Sequence, residues 1–476
     1  MSPFVRVYKG DDMPLYIQAA DAVRARIADG SVRPGDRLPS VRRLSDELGV
    51  NPATVVAAYR ILSREGLLDM RRGSGVYVSE DARAQDAQSG ASKALKEPTQ
   101  AVEFDLSASV PPEDSYPLDD VKRYLVQAVD MDGGAAFSYQ EAGGYPPLRK
   151  ALARELARAF GLGVDAADVH VVSGAQQGLD LAARVLLRHG DLALVEAPGY
   201  QGAGSAFLAA GARVEAVEAG AGGLDLDAIE RAATERPLRL LYVNPTLQNP
   251  SCAVYPEDFR ECLVRLAQRH GFFIIEDDLM VDLAEQKPRP LRSYDATGKV
   301  LYLKSFSKSL MPGLRIAVLE APPAMRERLE SAKRAIDLSS NGLIQRVLTF
   351  ILNDGRYAEH LASVRKRYEH ACDEFCRGLS DAAGLSWERP AGGLNVWLEL
   401  PAGLSGSAAA GACRSDGILV APEAEFRSDA GARDAHLRLS FRSVRLNAAG
   451  EAGSRVARAL SAAIAATGRG ILARGR

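Results

Sequence analysis

The chain has 476 residues, 47% of them apolar and 25% charged, with a formal net charge of −2. That apolar content supports a large core shared by about three lobes, and it excludes a mainly disordered, collagenous or disulfide-stapled chain. Five cysteines without a CxxC pair fit a reducing compartment. His370, Cys372 and Cys376, in HACDEFC, match no zinc spacing and read as one helix, so no metal is expected. The opening MSPFVRVYKGDDMP lacks the apolar core of a secretory signal, and no run reaches about 18 apolar residues. The expectation is a soluble, cytoplasmic protein without a membrane partner.

In chain order, Leu15, Ala19, Val23 and Ile27 recur every four residues behind Pro14 and predict a first helix ending at Gly30. Ser40 is placed to cap a short helix carrying Val41, Leu44 and Leu48, which stops at Gly49. Asn51 and Pro52 open a third helix through Val55, Val56, Tyr59 and Leu62 to Gly66. LLDM, RRGSG and VYV then predict a hairpin with a glycine tip. Two helices joined by a short glycine-containing turn, followed by such a hairpin, form a winged helix-turn-helix. This order puts Asn51 and Thr54 in the major groove of double-stranded DNA. Arg42, Arg43, Arg71, Arg72 and Ser74 fall along phosphates or the minor groove. The basic excess over the first eighty residues is small, but its arginines are clustered, and phosphate neutralisation is local.

The segment PLYIQAADAVRARIADGSVRPGDRLPSVRRLSDELGVNPATVVAAYRILSREGLL resembles the GntR-type DNA-binding domain along its whole length. The resemblance implies DNA contacts from Arg37, Ser40, Arg42, Arg43, Thr54 and Gly75. Residues 1–78 are therefore expected to form this domain. Residues 79–103 carry few large apolar groups and no sustained period, and read as a flexible linker.

Residues 104–476 read as a second domain of α/β class. The runs VHVV, LALVEAP, RVEAV, LRLLYVNP, FFIIEDD, KVLYLKSF and RIAVLEA alternate with helical stretches, which predicts a mostly parallel sheet with helices on both faces. Ligands bind beyond the carboxyl ends of such strands. There the sequence sets a helix start whose amides at Gly174, Ala175 and Gln176 can hold an anion. It adds a flat ring (Tyr200), an uncharged donor (Asn249), a carboxylate (Asp277), then Ser305, Ser307, Lys308 and Arg315. A cofactor with a phosphate, an aldehyde and a protonated ring nitrogen uses each of these groups. That description fits pyridoxal 5′-phosphate.

EDDLMVDLAEQKPRP and KVLYLKSFSKSLMPGLRIA, within a match from about Phe104 to Ala465, resemble the fold-type I aminotransferases, with a large mostly parallel sheet and a smaller C-terminal α+β lobe. The resemblance implies that Lys308 bonds the cofactor aldehyde as an imine and that Asp277 pairs the ring nitrogen. It also implies that Asn249 donates to the phenolic oxygen and Tyr200 stacks on the ring. Gly174, Ala175, Gln176, Ser305 and Arg315 are then the phosphate residues. Arg438, in LRLSF, holds a substrate carboxylate, and Tyr139 reaches the phosphate of a partner subunit, which implies a homodimer. A GntR-type domain fused to an aminotransferase-like domain resembles the MocR subfamily of transcription regulators. That resemblance implies a regulator sensing an amine, an amino acid or the cofactor itself, with a catalytically active aminotransferase carrying an autoregulatory DNA-binding domain as the alternative.

Two positions depart from the family pattern. EDDLM has Leu279 and Met280 where a tyrosine hydroxyl also bonds the phenolic oxygen, and the NPTG turn reads Asn249-Pro250-Ser251-Cys252. The second substitution places a side chain where only glycine readily takes the backbone angle. Loss of the hydroxyl is expected to raise the imine pKa, and Met280→Tyr to lower it again.

Overall fold

The computed structural model describes residues 15–28, 31, 32, 35–64, 67–71, 75–79, 102–380, 382, 384–428, 433–441 and 444–474. They fall in two compact units, Met1–Thr99 and Gln100–Arg476. Nearly all of the expected linker, together with Arg72 and Ser74, lies outside the described residues.

In the first unit, α1 (Leu15–Ala28), α2 (Val41–Leu48) and α3 (Pro52–Arg64) precede the antiparallel pair β1 (Leu68–Arg71) and β2 (Gly75–Val78), in which Leu68 faces Val78 and Arg71 faces Gly75. Ser40 caps α2 by accepting the amide of Arg43 at 3.3 Å, and Gly49 ends it in the left-handed region. The apolar faces converge on a single core of Ala19, Val23, Leu44, Val55, Tyr59 and Leu62, closed by Val76 and Val78 of the hairpin. Tyr59 is the one polar member of this set, and its hydroxyl donates to Pro39 O at 2.8 Å. A buried phenol is tolerated because its hydroxyl finds an acceptor.

The second unit has strands β3 (Phe104–Asp105), β4 (Val169–Val172), β5 (Leu192–Ala197), β6 (Arg213–Gly220), β7 (Gly223–Leu224), β8 (Leu238–Val243), β9 (Phe273–Asp277), β10 (Val300–Ser305), β11 (Ala317–Glu320), β12 (Ser386–Trp387), β13 (Val396–Glu399), β14 (Ile418–Leu419), β15 (Ala421–Pro422) and β16 (His436–Leu439). Its main helices are α4 (Leu118–Asp132), α5 (Pro146–Phe160), α6 (Ala175–Leu186), α7 (Gln201–Ala209), α8 (Leu226–Glu235), α9 (Glu257–His270), α10 (Arg326–Asp337), α11 (Gly342–Asn353), α12 (Arg356–Leu379), α13 (Gly406–Ser415) and α14 (Ala449–Arg474). The large sheet has the order β4-β11-β10-β9-β8-β5-β6-β7. The strands from β10 through β9, β8 and β5 to β6 are parallel, whereas β11 is antiparallel to both β10 and β4. The sheet is therefore mixed.

Each strand feeds both faces, as period-two alternation requires. Leu240 and Tyr242 of β8 join the core under α6, α7 and α10, while Leu241 and Val243 join the core under α8 and α9. The smaller lobe stacks the sheet β12-β13-β16-β15 on α12 and α14. Val396, Leu398, Leu437 and Leu439 face those helices, and the residues between them face away. Cys372 and Cys376 lie on α12, where Cys372 is part of that core and Cys376 packs against it. Strand β3 pairs with β14, which ties the start of the unit to the smaller lobe.

Candidate functional site

The carboxyl ends of β4, β5, β8, β9 and β10 point to the same edge of the sheet, with β11 between β4 and β10, so the loops leaving them share one rim. Asp277 is the last residue of β9 and is fully buried. One carboxylate oxygen accepts the Tyr242 hydroxyl at 2.9 Å, and the other, Oδ1, has no partner among the described residues. Burial raises the Asp277 pKa to about 7, with Asp278 and Glu196 adding to the rise, while the Tyr242 hydrogen bond and Lys308 pull it down. Lys308 follows β10, and its ammonium donates to Ser109 O. Burial and the charge of Arg438 bring its pKa down to about 8, against the opposing pull of Asp277.

The anion-binding end is assembled around Gly174, the N-cap of α6, at φ 90°. A Cβ there would stand 2.4 Å from Nη2 of Arg315, so the glycine lets the guanidinium close over the helix start. Arg315 donates to Ser173 O at 2.9 Å. The Gly174 amide donates to Val172 O at 2.9 Å. It is spent within its own turn, which corrects the expectation of three available amides. The amides of Ala175 and Gln176 open the helix and have no intrahelical acceptor. Ser305 ends β10, and its hydroxyl accepts the Ser307 amide at 3.2 Å. Tyr200 precedes α7, lies 37% exposed, and donates to Gln176 Oε1 at 2.9 Å.

On the smaller lobe's side, Arg438 of β16 donates to Asn249 Oδ1 at 2.8 Å and to Ser107 O. Its Nε has no hydrogen-bond partner among the described residues. The loop bearing Asn249 is fixed from beneath. Gln248 donates to Pro198 O and to buried Glu196, and accepts from both the amide and the hydroxyl of Ser251. Tyr255 donates to the same Glu196 at 2.7 Å. Asn244 donates to Asp277 O and accepts the Asn249 amide, so one side chain ties the carboxylate strand to the Asn249 turn.

The structure thus gathers Gly174, Ala175, Gln176, Tyr200, Asn249, Asp277, Ser305, Lys308, Arg315 and Arg438 on one rim. Tyr139 is not among them. It is 82% exposed within the single chain. Both departures from the family pattern have structural counterparts. Met280 is buried among Leu247, Leu283, Phe306 and Leu310, with no hydroxyl to offer. Leu279 packs partly buried against the same cluster. Cys252 takes φ 62°, the left-handed angle that glycine would accept at lower cost. Its thiol donates to Asn395 O at 3.3 Å. Tyr242, Asn244, Ser107, Ser109 and Asn395 were not foreseen. Tyr242 reads as one more apolar strand residue in LRLLYV, and nothing local to Ser107 or Ser109 marks a carbonyl that will meet Arg438 or Lys308.

In the first unit Arg37, Ser40, Arg42, Arg43 and Asn51 are exposed and Thr54 is half-buried. Arg43 pairs with Glu47 at 2.9 Å on its own helix. Arg37 bridges to Tyr77 beside Gly75, where a Cβ would meet Arg37 Nε at 2.9 Å. Arg71 is the last residue of β1.

The orphaned oxygen of Asp277 is the acceptor that a buried ring N–H requires. The helix start beneath Arg315 suits a phosphate, and Lys308 provides an amine between them. The residues fit a phosphorylated pyridine aldehyde. Residues 102–449 match the model of the aminotransferase class I and II family, and residues 15–78 match that of the bacterial regulatory proteins of the gntR family. The chain is 29% identical over 376 residues to the probable rhizopine catabolism regulatory protein MocR of Rhizobium meliloti, covering 75% of each protein. This chain belongs to the MocR subfamily. It is a GntR-type regulator fused to an aminotransferase-like domain. The MocR-type chain is also 30% identical over 467 residues to the HTH-type transcriptional regulator TauR of Rhodobacter capsulatus, across 91% of this chain and 94% of TauR. Among solved structures it is similar to LysN, the α-aminoadipate aminotransferase of Thermus thermophilus complexed with N-(5'-phosphopyridoxyl)-L-leucine. The TM-score is 0.70 at 31% identity, over 76% of this chain and 93% of LysN. Family and site together indicate pyridoxal 5′-phosphate as the cofactor.

Proposed function

We propose that this MocR-type regulator senses an amine or amino acid, or pyridoxal phosphate itself, through its aminotransferase-like domain and alters its binding to a double-stranded DNA operator in response. The observation that carries the reading is the bare, buried Oδ1 of Asp277 on the same rim as a lysine amine whose pKa is brought down to about 8. When bound, pyridoxal phosphate supplies an aldehyde carbon on a ring that withdraws electrons.

The chain's own residues then have distinct tasks. Asp277, as a carboxylate, would accept the ring N–H through Oδ1 while Tyr242 holds Oδ2 in place. Arg315, Ser305 and the amides of Ala175 and Gln176 hold the phosphate. Tyr200 covers the ring. Asn249, its Oδ1 engaged by Arg438, would have its amide nitrogen left to donate to the phenolic oxygen. Lys308, its pKa brought down to about 8, would present a free amine to the aldehyde, and an incoming amine would compete for the same carbon. Arg438 receives the anionic end of that amine, a carboxylate or a sulfonate. Sensing would require that the loop after β10, which carries Lys308, be held differently when the lysine is free. A switch needs such a difference in affinity between two conformations.

Met280 favours this reading over turnover. Without the hydroxyl, the phenolic oxygen loses a donor, which weakens the control of protonation that repeated transamination uses. Exposed apolar residues on and after α4 support a homodimer: Val126 is 57% exposed, and Met131 and Phe137 are each 66% exposed. Tyr139 continues the same surface, which suits a reach into the site of a second copy.

The test is selection of genomic DNA fragments on the full chain loaded with pyridoxal phosphate, with and without each amine that changes its absorption. The reading predicts enriched paired half-sites at fixed spacing whose occupancy changes with one amine and stays unchanged in Lys308→Ala. Enriched sites whose occupancy changes neither with any amine nor on removal of pyridoxal phosphate would refute sensing.

A further inference from the structure

Asn395 precedes β13 and is 1% exposed, yet neither its Oδ1 nor its Nδ2 has a hydrogen-bond partner among the described residues. Most buried amides in folded chains are paired, so a doubly bare one needs a cause. Its backbone is well used: Asn395 O accepts the Cys252 thiol. The next residue, Val396, faces Leu439 across the β13–β16 ladder, and Trp397 faces Arg438. Alternation therefore puts Asn395 on the same sheet face as Trp397 and Arg438, turned away from the apolar core that Val396 and Leu398 enter. The neighbouring segment is held at this register, since Ser440 donates to Leu394 O at 3.4 Å. Two residues before Asn395, a Cβ on Gly393 would stand 3.4 Å from Met280 Sδ, so the segment packs on the apolar cluster that holds Met280, and the Cys252 thiol joins Asn395 O to the turn that carries Asn249.

Arg438 on β16 and Asn395 at the entry to the adjoining β13 thus carry unused hydrogen-bonding capacity. Arg438 has its free Nε, and Asn395 has one carbonyl and two N–H groups. The same condition holds for Asp277 Oδ1, which the cofactor ring would fill. We propose that Asn395 is a specificity-determining residue of the effector site, recognising an uncharged hydroxyl or carboxamide group carried by an amine whose anionic end is held by Arg438. The proposal rests on the effector reading given above. A charged group would gain less there. The carboxamide offers no net charge to offset its burial, whereas a hydroxyl or amide can donate to Oδ1 and accept from Nδ2 at once. A site built this way penalises an analogue that lacks the polar group, because the asparagine is then left bare again.

The experiment uses the full chain loaded with pyridoxal phosphate and follows its visible absorption during titration with matched pairs. These are alanine and serine, β-alanine and isoserine, and norvaline and glutamine. Wild type is expected to bind the polar member of at least one pair about tenfold tighter or more. Asn395→Leu is expected to bring that ratio close to one while its pyridoxal phosphate uptake stays unchanged. Folding is not at risk, because an apolar side chain of similar size replaces an unpaired amide, and the thermal midpoint should hold or rise. Absence of discrimination in wild type, or discrimination that survives in Asn395→Leu, overturns the proposal. A loaded chain that responds to no member of the panel overturns this proposal, whereas the effector reading falls only if neither an amine nor removal of pyridoxal phosphate changes its DNA occupancy.

Discussion

At the scale of single residues, the site is a set of groups kept in costly states. Asp277 is buried with half of its acceptor capacity unused, and removing its charge should weaken pyridoxal phosphate binding by about 10- to 100-fold in Asp277→Asn, measured by equilibrium titration. Lys308 has its pKa lowered to about 8, first by burial and then by Arg438. A lysine brought down in this way is the free amine from about pH 8 upward, so the rate of pyridoxal phosphate uptake should rise through pH 8 and level off above it. In Arg438→Leu the midpoint should move up, and a wild-type midpoint at the ordinary lysine value would contradict the assignment. Cys252 holds a left-handed backbone angle that its side chain makes costly, so Cys252→Gly should change stability by less than about 1 kcal/mol while branched Cys252→Val costs about 2 kcal/mol or more in chemical unfolding. Lys308, Asp277 and Cys252 are legible in the sequence because each sits in a short motif of fixed spacing. Tyr242 and Asn395 are not. Their roles depend on which strand lies beside them, and a strand pattern reports only which face is apolar.

At the scale of elements, the capped helix α2 and its neighbour α3 show how much a local signal carries. Ser40, Gly49 and the apolar spacing mark both ends and the buried face, and all three appear in the folded unit. The buried Leu44 ties α2 to that core, and Leu44→Ala should cost about 2–5 kcal/mol. Its measurable consequence is loss of DNA binding and of the first unit's thermal transition, with the absorption of bound pyridoxal phosphate unchanged. The strands of the large sheet were also legible, as short apolar runs between helices. Their directions were only partly so. RIAVLEA carries nothing that distinguishes a parallel from an antiparallel neighbour, and β11 runs against both β10 and β4 because the short return through Pro312–Leu314 reverses the chain. The spent amide of Gly174 is a similar case. A glycine before a helix announces a turn, but the acceptor that turn selects is set by its φ of 90°.

At the scale of the whole molecule, two units of unlike chemistry are joined in one chain. Their contents, a DNA-reading fold and a cofactor rim, are visible in the sequence as two separate motif sets. The homodimer is predicted from the exposed apolar surface of α4 and the residues after it, so the chain should sediment at about twice its 50.9 kDa. Phe137→Asp should shift it toward monomer and weaken pyridoxal phosphate retention. The central claim is that Lys308 carries a cofactor whose exchange for an amine is a signal and not a turnover. The most direct measurement is the visible spectrum of the purified full chain with pyridoxal phosphate, before and after amines and amino acids, with Lys308→Ala alongside. The account predicts a band that depends on Lys308, shifts with one ligand, and then holds steady. A band that decays to the aminated cofactor and returns when a keto acid is added, or no Lys308-dependent band at all, would contradict it.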